Sequence, residues 1–166
     1  MTSAFATVRR SLVLALFALG LASAGACAVP QTLKIEPLEV VTPSGPHRFD
    51  VEIADTPATM EHGLMYRTAL APDRGMLFDF KAPQPVAFWM EHTLIPLDML
   101  FIGADGHIVS IRRNAVPLDR TNIPSGGPVL GVLEIAGGRA AQIGAKPGDL
   151  VRHRIFGTPV AAGGRR

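Results

Sequence analysis

The chain has 166 residues, 48% of them hydrophobic and 18% charged, and a chain of this size can bury enough surface for a single domain. Its 16 basic and 14 acidic residues give a formal net charge of +2, which argues against a nucleic-acid partner. The only cysteine is Cys27, so an internal disulfide is excluded.

Residues 1–26 have the pattern of an export signal. Arg9 and Arg10 precede an apolar run over residues 12–22, and small residues follow. The run is shorter than the roughly 20 residues that span a bilayer, which favours a cleaved signal over a membrane anchor. We therefore expect export to the periplasm or cell envelope. Cleavage before Cys27 would allow lipidation and a membrane tether there; otherwise Cys27 is discarded or remains a free thiol.

The remaining chain is predicted to form one domain. Residues 27–32 are expected to be a linker, residues 33–156 the domain and residues 157–166 a disordered tail. Short apolar segments alternate with Gly, Pro and Asp turns about every ten residues, which is typical of a β-sandwich or barrel. The prediction is a mainly β fold with one or two short helices.

The first predicted elements are two strands and a helix. Residues 33–40 contain Pro37 and predict an edge strand. Apolar residues alternate with charged ones over residues 49–53, which predicts a strand with one solvent-exposed face. Thr56 is a good helix N-cap, and Gly63 is a natural stop two turns later.

The second half of the domain continues in strands. Residues 97–102 and 107–112 predict a hairpin, and residues 86–90 predict a fully apolar strand in the middle of the fold. The Pro- and Gly-rich residues 114–128 are long enough for a lid or binding loop. Further predicted strands are residues 76–80, 129–135 and 150–156, and residues 139–143 predict a short helix.

Several short motifs occur in the order and spacing of a known family. They are Glu61-His-Gly-Leu-Met65, Gly75-Met-Leu-Phe78, Phe88-Trp-Met90, Pro96-Leu-Asp98, Val132-Leu-Glu134 and Lys146-Pro-Gly-Asp149. From about residue 51 to 151 the chain resembles the domain of unknown function family 192. The resemblance implies a β-sandwich of the jelly-roll type, often exported, with no established catalytic residues. At Glu61 and His92 the family commonly carries basic residues instead.

Five residues are candidates for a ligand site. Arg67 and Asp98 each lie next to apolar residues in the sequence, and a charge held near a core needs a partner. They could form a structural ion pair with each other, or Arg67 could pair with Glu134. Alternatively, both could orient a polar ligand. Trp89, the only tryptophan, is either a core residue or a stacking platform for a sugar or another flat face. Thr93 would add a hydrogen bond. The first hypothesis is therefore a non-enzymatic binding module for a polar small molecule or glycan.

A second hypothesis is a copper-binding protein. Met65, Met76 and Met90 lie close in sequence to His62 and His92, and thioethers with imidazoles suit a cuprous ion. The structural interpretation is that the methionines fill the core. Apart from this alternative, no cofactor is implied.

A third hypothesis is a carboxylate-dependent hydrolase. Glu61, Glu91, Asp98 and Glu134 include enough carboxylates for the acid–base pair of a glycosidase. No Ser or Cys occurs in a recognisable nucleophilic arrangement, so covalent catalysis through those residues is disfavoured.

Overall fold

The computed structural model describes residues 33–160. The export signal predicted at residues 1–26, Cys27 and the linker at residues 27–32 lie outside the described residues, as does the end of the predicted tail. Between residues 33 and 160 no helix is long and apolar enough to cross a bilayer.

The described domain is mainly β, as predicted. Its strands are β1 (Ile35–Thr42), β2 (Gly45–Ala54), β3 (Arg74–Gln84), β4 (Ala87–Phe88), β5 (Leu97–Ile102), β6 (Ile108–Ala115), β7 (Ile123–Pro124), β8 (Val129–Ala136) and β9 (Leu150–Arg152). Two short helices, α1 (Pro57–His62) and α2 (Arg139–Gln142), and a 3-10 turn (Arg154–Phe156) complete it.

Seven strands form one curled sheet in the order β6-β5-β8-β3-β2-β1-β9, and β4 pairs separately with β7. The two ends of the large sheet meet, because the N–H of Ile108 donates to the carbonyl of Asp149 at 2.9 Å and that of Val151 to Gly106 at 2.8 Å. The result is a single barrel-like domain, which confirms the predicted fold class. The predicted hairpin is also confirmed as β5 and β6.

The strands β2 and β3 are parallel, whereas the other paired strands of the sheet are antiparallel. A parallel pair requires a crossover connection, and α1 lies within that connection. Thr56 caps α1 in a reciprocal arrangement with Thr59, and Gly63 ends the helix at a positive φ of 49°. The predicted start and stop of this helix are thus confirmed.

Neighbouring residues of the central strands pack into two different apolar clusters. Leu77 of β3 and Leu133 of β8 belong to the cluster that includes α2, whereas Met76 and Val132 belong to the cluster that includes Leu64. Because side chains alternate between the faces of a strand, the sheet has two buried faces. The second face carries the candidate site.

Three predicted strands differ from the structure. The last one, predicted at residues 150–156, ends at Arg152 and is followed by the 3-10 turn. Residues 86–90 are not a central strand, because the middle of the seven-stranded sheet is β3, flanked by β8 and β2. Only Ala87–Phe88 is extended, in the partly exposed two-stranded sheet. The strand at residues 33–40 is not an edge strand, because β9 covers it at Glu39, Val40 and Val41. Pro37 lies before that stretch, so its missing N–H removes no bond to β9.

The C-terminal end of the domain is fastened to β1. The guanidinium of Arg154 donates to both oxygens of Glu36, at 2.6 and 2.9 Å. The Thr158 hydroxyl donates to the carbonyl of Val151 at 3.1 Å, so contact with the domain continues two residues beyond the predicted boundary at 156.

Glu36 is expected to make the domain sensitive to acid. Its hydrogen bond with Arg154 is the main reason that the pKa of this buried carboxyl falls from 4.5 to about 2. The stabilisation is therefore present above pH 4.5 and lost as the pH falls toward 2, and it amounts to about 2–3 kcal/mol at neutral pH. Urea unfolding of Glu36→Gln should show that loss at pH 7 and little difference at pH 2. Equal losses at both pH values would contradict the prediction.

Candidate functional site

A cavity of about 1010 Å³ opens on the second face of the sheet. One wall is formed by α1 and the turn after it, up to Tyr66, and the facing wall by residues 86–93. The walls are joined by a hydrogen bond from the N–H of Tyr66 to the carbonyl of His92, at 2.8 Å. The floor is formed by β3 and β8. The cavity is large enough for a small organic molecule.

The rim carries the only tyrosine and the only tryptophan of the chain. Tyr66 is 60% exposed and Trp89 is 50% exposed, which is unusual for side chains of this size. The ring of Tyr66 stacks on that of His92 with centroids 5.3 Å apart. The ring of His62 is tilted against Tyr66, with centroids 6.1 Å apart. The rim therefore presents aromatic faces to whatever enters.

The backbone is held in an unfavourable conformation at this rim. Tyr66 has a φ of 63° and His92 a φ of 57°, in the left-handed region that bulky residues rarely adopt. Leu118, whose N–H donates to the carbonyl of Thr93, has a φ of 63°. Such conformations persist where the surrounding structure enforces them, and they concentrate at ligand-binding sites.

The floor is aromatic. Phe88 contacts Phe78 edge to face with ring centroids 5.0 Å apart, and Phe80 in the same geometry at 6.4 Å. Leu64, almost fully buried, completes the apolar surface. Edge-to-face packing fixes the rings relative to one another, so the floor has a defined shape before any ligand binds.

One acidic group lies in this apolar floor. Glu134 is only 4% exposed, and its carboxyl has no hydrogen bond or ion pair with any residue between 33 and 160. Its cross-strand neighbours are Met76 and Met99, neither of which offers a charge. Burial alone raises the pKa of Glu134 to about 8. The carboxyl is therefore mostly protonated at neutral pH and directed at the cavity.

The ionisable side chains that line the cavity are acids and imidazoles. They are the carboxyls of Glu61, Glu91 and Glu134 and the imidazoles of His62 and His92. Among the described residues that line it, none is Lys or Arg. The interior of the cavity therefore has no fixed positive charge.

The loop predicted at residues 114–128 supports one wall and does not itself line the cavity. Its Arg120 forms an ion pair with Glu91 at the rim. The N–H of Leu118 donates to the carbonyl of Thr93 at 3.2 Å, which fixes the turn after Trp89. The loop thus sets the position of the wall that carries the tryptophan.

The structure brings three of the five predicted ligand-site residues together: Trp89, Thr93 and Glu134 all line the cavity. The predicted ion pair of Arg67 with Asp98 or Glu134 is wrong. Arg67 instead donates to both oxygens of Glu52, each at 2.6 Å.

Asp98 is buried on the opposite face of the sheet, because it pairs with Ile135 whereas Glu134 pairs with Met99. Its carboxylate accepts backbone N–H bonds from Asn114 at 2.8 Å, Gly138 at 3.1 Å and Ala140 at 2.7 Å. Asp98 therefore joins β6 and the start of α2 to β5.

The predicted copper ligands are divided between the cavity and the core. His62, His92 and Met65 line the cavity, whereas Met76 and Met90 are fully buried in the apolar cluster. Within residues 33–160 no group of three His, Cys, Asp or Glu side chains is arranged to hold a metal ion. Of the four carboxylates considered for hydrolysis, Glu61, Glu91 and Glu134 line the cavity, and Asp98 does not.

A family model matches the domain over residues 39–153: DUF192, described as an uncharacterized ACR. The chain belongs to the DUF192 family. Among curated proteins no match is found.

Two solved structures are similar to this DUF192 chain. One is from Sinorhizobium meliloti 1021 and is described as a "putative transcription regulator"; it is 46% identical over 72% of this chain and 94% of its own, with a TM-score of 0.70. The other, from Novosphingobium aromaticivorans DSM 12444, is described as a protein of unknown function; it is 47% identical over 75% of this chain and 89% of its own, with a TM-score of 0.72.

Sequence reasoning missed several cavity residues of this DUF192 domain. Tyr66 lies on the rim, and Phe78, Phe80 and Phe88 form the floor. Phe78 and Phe80 are two residues apart on β3, so their side chains lie on the same face of the strand. This spacing could have predicted that they line the same surface. Nothing local to Tyr66 indicates its position, because a bulky residue adopts a positive φ only where the packing around it enforces that conformation.

Proposed function

We propose that this protein is an exported binding protein of the cell envelope that holds a small organic ligand in the cavity between α1 and residues 86–93. The supporting observation is the unpartnered carboxyl of Glu134 in an aromatic floor. A buried polar group without a partner costs stability, and a ligand that supplies the partner would offset that cost. The pattern of residues 1–26 supports the export part of the proposal.

The geometry favours binding over catalysis. The aromatic floor and the rim offer shape and stacking, whereas the acidic groups are dispersed over the two walls and the floor. The ligand we propose has a flat apolar part that contacts the rings and a polar group that reaches Glu134. A glycan that stacks on Trp89 is one such ligand, because sugars present flat C–H faces.

Native mass spectrometry of the protein purified from its own envelope fraction tests this function. We expect the native mass to exceed the denatured mass by that of a small organic molecule, and the denatured mass to show cleavage before or near Cys27. The molecule should be recovered chemically unchanged. Recovery of a cleaved product would indicate a hydrolase, and a copper mass would indicate the metal hypothesis. A bare polypeptide with an uncleaved N-terminus would contradict the proposal.

Removing the exposed tryptophan should weaken binding without unfolding the domain. Trp89→Ala deletes a stacking surface at the rim, so we expect the retained ligand to fall by about tenfold or more. Ile35→Ala is the matched control, since Ile35 is 53% exposed on β1 and does not line the cavity. Equal retention by both variants would exclude the rim from the binding site.

A further inference from the structure

We propose that the ligand class is an organic ammonium ion, that is, a protonated amine on an aromatic or apolar body, whose nitrogen meets the carboxylate of Glu134. This inference rests on the proposed function and specifies the chemistry of the same cavity. It is carried by the position of one unpartnered acid in the floor, by the aromatic rings that line the same cavity and by the absence of Lys or Arg from its lining in the described domain.

The position of Glu134 determines which polar group fits. Glu134 lies on β8, in the sheet that forms the floor between the two walls, so the ligand's polar group has to reach the floor to meet it. An ammonium donates hydrogen bonds and brings the opposite charge, and a charge-assisted bond of this kind is roughly twice as strong as a neutral one. A carboxylate or phosphate ligand would instead be repelled by Glu61, and by Glu134 once that group has lost its proton.

The aromatic residues suit the rest of such a ligand. Phe78 and Phe80 lie in the floor, Phe88 packs on them from the wall, and Trp89 lies at the rim. Ring faces attract a desolvated cation, and rings also cover an apolar body. The same cavity thus accommodates both ends of the molecule.

Binding of the ammonium requires that Glu134 release its proton. In the empty cavity burial raises the pKa of this carboxyl to about 8, so at pH 7 one proton leaves as one ammonium enters. The other titratable groups that face the cavity are Glu61 and His62 from α1, and Glu91 and His92 from the opposite wall. These four groups are unchanged when Glu134 is replaced, so the Glu134→Gln variant isolates the part of the pH dependence that comes from Glu134.

Three probes of equal shape separate the chemical classes: 2-phenylethylamine, 2-phenylethanol and phenylacetate, each titrated into the full chain and followed by the fluorescence of Trp89 and by calorimetry. We expect the amine to bind at least about tenfold more tightly than the alcohol at pH 8. The anion should bind most weakly. The affinity for the amine should rise with pH from 6 to 8, approaching about tenfold per unit, with proton release.

The Glu134→Gln variant tests the role of the carboxyl. It should lose about tenfold or more in affinity for the amine, lose the proton release and keep its affinity for the alcohol. Glu39→Gln on β1, outside the cavity, is the matched control and should bind like the parent.

The outcomes distinguish the two proposals. If the alcohol or the anion binds as tightly as the amine, or if Glu134→Gln binds the amine normally, the ammonium inference is wrong while the binding cavity stands. If no probe binds and the purified protein carries no ligand, both proposals fail.

Discussion

Replacing Asp98 with alanine is expected to destabilise the domain by about 3–5 kcal/mol. The side chain is fully buried, and its two oxygens accept backbone N–H bonds from Asn114, Gly138 and Ala140. Alanine leaves these three donors in the interior without a partner, and each unmet donor costs free energy. It also releases α2 and the end of β6 from β5.

Urea unfolding followed by circular dichroism measures this loss. Asp98→Asn should have an intermediate effect, because its amide oxygen still accepts while its NH₂ group faces a backbone donor. Asp105→Ala is the control: its carboxylate also accepts a backbone N–H, from His107 at 3.0 Å, but its side chain is 73% exposed. The control should lose less than about 1 kcal/mol, because water replaces the lost bond. Similar losses of stability for the two alanine variants would show that burial does not strengthen the hydrogen bonds that Asp98 accepts.

The parts of the fold that the sequence predicts are those specified by neighbouring residues. Thr56 and Gly63 mark the ends of α1 because capping and a positive φ are local requirements. The β5–β6 hairpin follows from its Gly- and Asp-containing turn, in which Gly106 has a φ of 82°. The family resemblance gave a further indication of the mainly β fold.

The parts that the sequence does not predict depend on distant pairing. Residues 86–90 form an apolar run, and such a run is equally consistent with a buried strand and with a wall that packs one face on the core. The structure has the second arrangement: Met90 is fully buried, whereas Trp89 is half exposed. The central place in the sheet belongs to β3, which lies between β2 and the distant β8.

The candidate site was predicted only in part, because it also depends on pairing between strands that are distant in sequence. Alternation along a strand gives each residue's face relative to its neighbours, but only the register between strands shows which faces coincide. Asp98 and Glu134 both emerge from apolar strands, yet the pairing of β5 with β8 places them on opposite faces. The partner of Arg67 is Glu52, on a strand that the local sequence cannot connect with it.

Two carboxyls give the domain opposite responses to pH. Glu36, paired with Arg154, stabilises the fold once the pH exceeds its ordinary pKa, whereas Glu134 has no partner and opposes folding as the pH rises. An unpaired acid in an apolar floor lowers stability, and stability is often exchanged for function at binding sites. This cost is the basis of our proposal that a ligand pairs with Glu134.

Replacing Glu134 with glutamine is accordingly expected to stabilise the ligand-free domain by about 2–4 kcal/mol at pH 7. In the unfolded chain the carboxyl loses its proton near pH 4.5, but in the folded chain burial raises its pKa to about 8. The stability of the parent therefore falls as the pH rises from 4.5 to 8. Glutamine has the same shape and no proton to lose, so its stability should not show this fall.

Urea unfolding of the parent and of Glu134→Gln at pH 4, 6 and 8 measures the difference. The two proteins should agree within about 1 kcal/mol at pH 4, where both states of the parent are protonated, and diverge at higher pH. The stability of the control variant Glu39→Gln should change with pH in the same way as that of the parent. Parallel curves for the parent and Glu134→Gln would show that the buried carboxyl has a partner in solution. If an organic ammonium stabilises the parent more at pH 8 than at pH 4, whereas a neutral alcohol of the same shape does not, the missing partner is a cation, because only a ligand that pairs with the ionised carboxylate binds more tightly as the pH rises.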